Sequence, residues 1–321
     1  MSLALTIVLF VIGLLLIIKG GDWFVDAASW MAEASAMPKF LIGATIVSVA
    51  TTLPEIIVSS MAAAEGSTDI AIGNAIGSVT ANIGLIMAIS LLFLPAVIQR
   101  KQFAFKGTLM VGSCVLLWAL CLDGQLTIAE SFLVLALFAA YIVENVHTAK
   151  LESRNAGEER EAVDKSGKAL RKNIGLFALG AVCLVAGSRL LVDNGTELAR
   201  LLGVSERIIA VTMVAIGTSL PELVTAITAI VKKQTSMSVG NILGANIIDV
   251  TVILPICAFI GGKLTIAAES LQQTLYLDMP VCVIETALAV VPTLIFKKFQ
   301  KWQGALMLCV YIAYLILTVR A

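Results

Sequence analysis

The sequence predicts an all-α membrane protein, with ten transmembrane helices in two inverted five-helix repeats and with helices two and seven broken. Three observations lead there. The chain is 59% hydrophobic and 14% charged over 321 residues, against about 45–50% and 25% for soluble domains. Its mean hydropathy is +0.97. Two segments 167 residues apart repeat without a gap: ATTLPE, ending at Glu55, against IGTSLPE, ending at Glu222, and GNAIGSVTANI (73–83) against GNILGANIIDV (240–250).

A spanning helix takes about 20 mostly apolar residues. Ten such runs are predicted, at 3–19, 39–63, 70–95, 106–122, 128–146, 173–192, 206–231, 237–260, 274–296 and 303–319. Alternating strands of about ten residues, which mark an outer-membrane barrel, do not appear. No basic residue precedes the first run and no small-residue cleavage site follows it, so it is expected to be retained as helix one.

The first repeat is expected over 1–148, a flexible connecting loop over 149–172 and the second repeat over 173–321. Five spans per half is odd, so the halves enter the membrane with opposite orientations. Of the 22 Lys and Arg residues, 17 fall on the side of the loops after odd-numbered spans and 5 on the other. The positive-inside rule makes the connecting loop cytoplasmic, with both termini outside, in the plasma (inner) membrane.

Six cysteines lie scattered in apolar runs and read as small core residues. The single histidine, His147, excludes a histidine-based metal centre. The formal net charge is zero, with no basic face for nucleic acid. Nothing indicates an obligatory protein partner, a cofactor or an enzymatic nucleophile.

The repeated motifs carry the chemistry. A proline inside a helix removes an N–H and clashes with the carbonyl four residues back. Pro54 and Pro221 are therefore expected to break spans two and seven and to free carbonyls near Ser48 and Ala215. At helical spacing Ser48, Thr51, Thr52 and Glu55 share one stripe, and Ala215, Thr218, Ser219 and Glu222 repeat it. Spans three and eight add Ser78 and Asn82 and, at the mate of Asn82, Asp249. Gly73, Gly77, Gly240 and Gly244 are spaced for close helix approach. Three carboxylates with hydroxyls and carbonyls at mid-membrane suit a hard cation such as Na+, Ca2+ or Mg2+. Broken helices at matching places in two inverted halves mark a transporter's binding site.

Each motif has a plainer reading on its own: a proline kink, a packing stripe, a structural glutamate. Their joint duplication in register, with the carboxylates retained, favours a site. Glu285 is different, because its mate at the same offset is Trp118; the structural reading is favoured over that of a proton carrier, the role that Glu285 or Asp249 would take in proton/cation exchange. Asp22, Asp26, Arg189 and Asp193 read as interfacial.

On these motifs the chain resembles the calcium/cation antiporter superfamily, the sodium/calcium exchangers, in the compact size of its prokaryotic members. The resemblance implies one central cation site built from Thr51, Thr52, Glu55, Ser78, Asn82, Thr218, Ser219, Glu222 and Asp249, with carbonyls near Ser48 and Ala215. It implies exchange of entering Na+ for departing Ca2+ by alternating access, spans one and six moving, with these ions and the lipid bilayer as partners. Departures from the usual pattern are Ala50 and Thr52 in ATTLPE, Val79 in place of asparagine and Ala245 in place of serine. They leave ion preference open. The alternatives are H+/Ca2+ or K+-coupled exchange and, from other classes, an intramembrane enzyme or a passive channel.

Overall fold

A computed structural model gives the fold, and the description covers residues 3–93, 100–155, 164–203, 217 and 219–320. Helix α1 (Leu3–Ser35) is followed by a bent pair, α2 (Lys39–Thr51) and α3 (Leu53–Ala64), inclined at 44°. Then come α4 (Thr68–Phe93), α5 (Arg100–Leu120), strand β1 (Gln125–Thr127) and α6 (Ile128–Asn155). The second half holds α7 (Gly167–Leu201), α8 (Leu220–Val231), α9 (Thr235–Gly261), strand β2 (Lys263–Thr265), α10 (Ala268–Phe296) and α11 (Lys301–Arg320).

Among the described residues eight helices are long and apolar enough to cross a membrane, or nine if α2 and α3 count as one span. The sequence predicts ten. The seventh run, 206–231, falls partly outside the described residues, as do Ala215 and Thr218; its described part is the short apolar helix α8. The protein is a multi-pass, all-helical membrane protein.

Three expectations are corrected. Helix α1 does not stop near Lys19 but continues to Ser35, where Asp22 and Asp26 lie 3.4 and 2.7 Å from Lys232 Nζ. At 1.5 Å per residue, its 33 residues reach about 50 Å, well beyond the hydrocarbon thickness. The segment 149–172, expected as a flexible connector, is helical through Asn155 and again from Gly167, where Ser166 caps α7 by accepting the Ala169 N–H. The fold also carries one short antiparallel ribbon, with Leu126 opposite Leu264.

The 167-residue offset survives in the element boundaries. Leu53–Ala64 maps onto Leu220–Val231, and Thr68–Ala81 onto Thr235–Ile248. Beyond each of the latter the helix widens into a π-helical turn, beginning at Asn82 in one half and at Asp249 in the other.

Packing relates the halves. Helices α1 and α7 run antiparallel: Gly13 lies against the Gly187 carbonyl and Gly20 against the Gly180 carbonyl, while Phe24 stacks on Phe177 at 4.4 Å. Gly13 and Gly180 are repeat mates, as are Gly20 and Gly187. Each glycine therefore touches the mate of the other, as across a two-fold axis. Helix α2 runs parallel to α9, whose Gly240 faces the Phe40 carbonyl and whose Gly244 faces Ser48 Oγ and the Ala44 carbonyl. The expected close approach holds at Gly240 and Gly244; Gly73 and Gly77 meet none of the described residues within 4 Å.

The chain ends of the elements sort into two groups. At one end Trp30 donates to the Asp164 carbonyl and Lys232 pairs with Asp26. At the other, the ribbon meets the start of α4, where Thr68 donates to the Thr265 carbonyl and the Ala267 N–H to Asp69.

Candidate functional site

The break in the second span is made locally. Helix α2 widens into a π turn at Gly43–Val47, regains α geometry at Ser48–Thr51 and ends at Thr52, with φ −81° and ψ −2°. Helix α3 then begins with Pro54 in its first turn. Proline fits there because its missing N–H is one that a helix start leaves unpaired anyway. Ser219, with φ −85° and ψ 5°, and Pro221 repeat the arrangement at the start of α8.

This places Glu55 and Glu222 in the first turns of two half-helices. A helix start carries partial positive charge and favours a carboxylate. Asn82 and Asp249 each open a π turn, a distortion frequent at functional sites.

The nine described candidates, Ser48, Thr51, Thr52, Glu55, Ser78, Asn82, Ser219, Glu222 and Asp249, are all at most 3% exposed. Glu55 interacts electrostatically with both Glu222 and Asp249, and Asp249 with Glu222. Three carboxyl groups from two halves of the chain thus share one buried region. Among the described residues none is ion-paired with a lysine or arginine. Among the described residues none of their six oxygens has a hydrogen-bond partner of normal geometry, although the Thr51 hydroxyl lies near enough to Glu222 to interact with it. The hydroxyls of Ser78 and Ser219 and the side-chain oxygen of Asn82 are buried in the same condition.

The hydroxyl and amide donors of Thr51, Thr52 and Asn82 all have acceptors other than the three carboxyl groups. Thr52 donates to the Ser48 carbonyl at 2.6 Å, and Thr51 has Asn241 Oδ1 at 3.2 Å and the Ser48 carbonyl at 3.4 Å. Asn82 Nδ2 donates to Asn246 Oδ1 at 2.9 Å. With the Thr52 and Asn82 donors so directed, the oxygens of both keep lone pairs free to face a cation.

The Ser48 carbonyl departs from expectation. It is not freed by the break, since it accepts the Thr52 N–H at 3.0 Å as well as the Thr52 hydroxyl. The helix holds its bonding through Thr52, and the chain turns only after it.

A grouping of hard oxygen acceptors without histidine or thiolate is chemistry for Na+ or Ca2+ rather than for a soft metal. If all three carboxyl groups are ionised together, the buried charge requires a counter-charge.

A profile described as sodium/calcium exchanger protein matches residues 5–146 and 172–320. The chain belongs to the sodium/calcium exchanger family. It is therefore a membrane cation antiporter of the calcium/cation class. Among its relatives, the exchanger MaX1 of Methanosarcina acetivorans is 26% identical over 95% of this chain and 96% of its own. The inner membrane protein YrbG of Escherichia coli is 34% identical over 78% and 79% respectively. A solved structure of the sodium-calcium exchanger NCX_Mj superposes with a TM-score of 0.81 at 30% identity, covering 97% of this chain and 98% of that one.

In this exchanger-family chain, sequence reasoning passed over Asn241, which holds Thr51, and noted Asn246 only as the asparagine kept where the first half has Val79, not as the holder of Asn82. Asn241 was legible as the repeat mate of Asn74, inside the Gly-Asn-x-x-Gly motif read as packing. It also passed over the thiols of Cys114 and Cys282, 3.8 Å apart, with Cys114 close enough to Asp249 to interact with it.

Proposed function

We propose that this antiporter expels Ca2+ in exchange for entering Na+, without a prosthetic group or any enzymatic step. The observation that carries the reading is the convergence of Glu55, Glu222 and Asp249, buried, with no cationic partner among the described residues and only the Thr51 hydroxyl near Glu222 as a side-chain donor. In this reading, they are ligands together with Ser48, Thr51, Thr52, Ser78, Asn82, Ser219 and, outside the described residues, Ala215 and Thr218. Ca2+ takes six to eight oxygens, and the same carboxylates shared among Na+ ions would make the two cations compete. Left empty, three carboxylates in low dielectric repel one another, which disfavours crossing unloaded and so favours exchange over leak.

The architecture we infer is ten spans in two inverted repeats, over 1–148 and 173–321, joined by 149–172. The antiparallel α1 and α7, whose glycines touch each other's repeat mates, support the inversion. Lysine and arginine placement supports a cytoplasmic connector and outer termini in the plasma membrane.

Reconstituted protein tests the coupling. 45Ca2+ uptake into Na+-loaded vesicles should exceed uptake driven by a pH or K+ gradient. Uptake that follows the pH gradient and ignores Na+ would assign proton exchange instead.

A further inference from the structure

Glu285 lies midway along α10, fully buried, and among the described residues neither carboxyl oxygen has a hydrogen-bond partner. Among the described residues it is paired with no lysine or arginine. The space it occupies is made by Gly84, the third residue of the π turn that Asn82 opens. A Cβ on Gly84 would stand 2.9 Å from Glu285 Oε1 and 2.7 Å from Tyr311 Cβ. Tyr311, on α11, is buried with its own hydroxyl unpartnered and interacts electrostatically with Glu285.

The duplicated design does not account for this cluster. The repeat mates of Gly84 and Glu285 are Thr251 and Trp118, and both have placed their protons on backbone carbonyls, Thr251 on Ile247 and Trp118 on Leu275 at 2.9 Å. Where one half is filled and satisfied, the other holds a carboxyl group. An isolated carboxylate in such surroundings is so unfavourable that it neutralises. A bound metal ion is a poor alternative, because a hard cation wants about six oxygens. Of the two side chains nearest a Cβ at Gly84, Glu285 turns a carboxyl oxygen toward it and Tyr311 its Cβ and ring edge, so a single side-chain oxygen is shown facing the gap. The ligand that fits is a proton.

We propose that Glu285 is a proton-binding site separate from the cation site, neutral in the packed conformation seen here and ionised in another conformation of the transport cycle. Ionisation would set a charge against the π turn two residues beyond Asn82, and that is the route by which it reaches cation binding. The titratable groups around it are few. From α11 comes Tyr311; on α10 itself Cys282 lies a turn earlier, against Cys114 of α5 and close enough to the Asp249 carboxyl group of the cation site to interact with it; Asp278, two turns away, accepts from Tyr314 at 3.2 Å; α4 brings Gly84 and, beside Cys282, Thr80.

The proposal rests on the transport reading above for its flux assay. Exchange of 45Ca2+ by proteoliposomes is measured against pH for the unaltered protein, Glu285→Gln and Tyr311→Phe. A single proton titrates over roughly two pH units. Over such an interval the unaltered protein should change rate at least about threefold, and Glu285→Gln, permanently neutral, should flatten that limb. Tyr311→Phe, lacking the donor that can meet the ionised carboxylate, should move the midpoint to higher pH. Superimposable profiles for the unaltered protein and Glu285→Gln overturn the proposal.

Labelling of the unaltered protein gives a second readout that needs neither a stable variant nor flux. A hydrophobic carbodiimide, which modifies neutral carboxyl groups, should label Glu285 increasingly as pH falls, with or without saturating Ca2+. Absence of that adduct at every pH overturns the proposal. If the protein shows no Na+-driven flux, the coupling reading fails while the labelling still decides Glu285.

Discussion

Asn82 donates from Nδ2 to Oδ1 of Asn246 at 2.9 Å, and Asn246 Nδ2 in turn points to Met110 Sδ at 3.7 Å. An amide has a donor end and an acceptor end, and a cation can use only the second. Fixing the Asn82 donor on the opposite half leaves its oxygen as the end available to the site. Asn246→Leu should therefore lower Ca2+ affinity about tenfold, the worth of roughly one lost hydrogen bond, while Asn246→Asp, which keeps the acceptor, should lower it less. Calorimetric titration of Ca2+ into the purified variants checks the order; equal losses would remove Asn246 from this role.

The fully buried Lys106 ammonium pairs with the Glu144 carboxylate and lies 5.6 Å from the centre of the Phe40 ring. Removing one partner strands a charge. Lys106→Met and Glu144→Gln should each lower stability by on the order of 2–3 kcal/mol, since Glu144 retains some contact with its surroundings. The double variant should recover part of the loss. Thermal unfolding in detergent reads this, and a double variant as unstable as the two losses summed would contradict it.

Gly240 packs against the Phe40 carbonyl, so that the α2 and α9 backbones touch. Gly240→Ala should destabilise by about 1–3 kcal/mol, the usual range for overpacking. Gly112, mid-way along α5 with nothing within 4 Å, is the control. There Ala should stabilise by up to about 1 kcal/mol from helix propensity alone. Melting temperatures that move the same way at both positions would contradict the close approach.

The duplication was readable because it has no gap: a constant offset carries Leu53–Ala64 onto Leu220–Val231 and Asn82 onto Asp249. Carboxylates inside apolar runs were equally plain, since the membrane makes them costly. What stayed hidden depends on contacts across the chain. Asp22 and Asp26 looked like the end of a span until Lys232, more than 200 residues on, was found to meet them. The π turns arise from one extra residue in the hydrogen-bond ladder, which composition does not record. The Ser48 carbonyl was expected to be released by Pro54, but Thr52 holds it with both its N–H and its hydroxyl. Asn241 reads as packing and Asn246 as no more than a kept asparagine, because their partners, Thr51 and Asn82, belong to the other half.

The central claim is that Glu55 and Glu222, at the starts of two half-helices, serve one transported cation. Na+-driven 45Ca2+ flux through proteoliposomes holding Glu55→Gln or Glu222→Gln, each first shown to elute and melt as a folded protein, tests it most directly. Both variants should fall at least about a hundredfold, because losing one carboxylate charge removes a ligand that is charged as well as coordinating. Flux within about twofold of the unaltered protein in either variant would contradict the account, whatever the other shows.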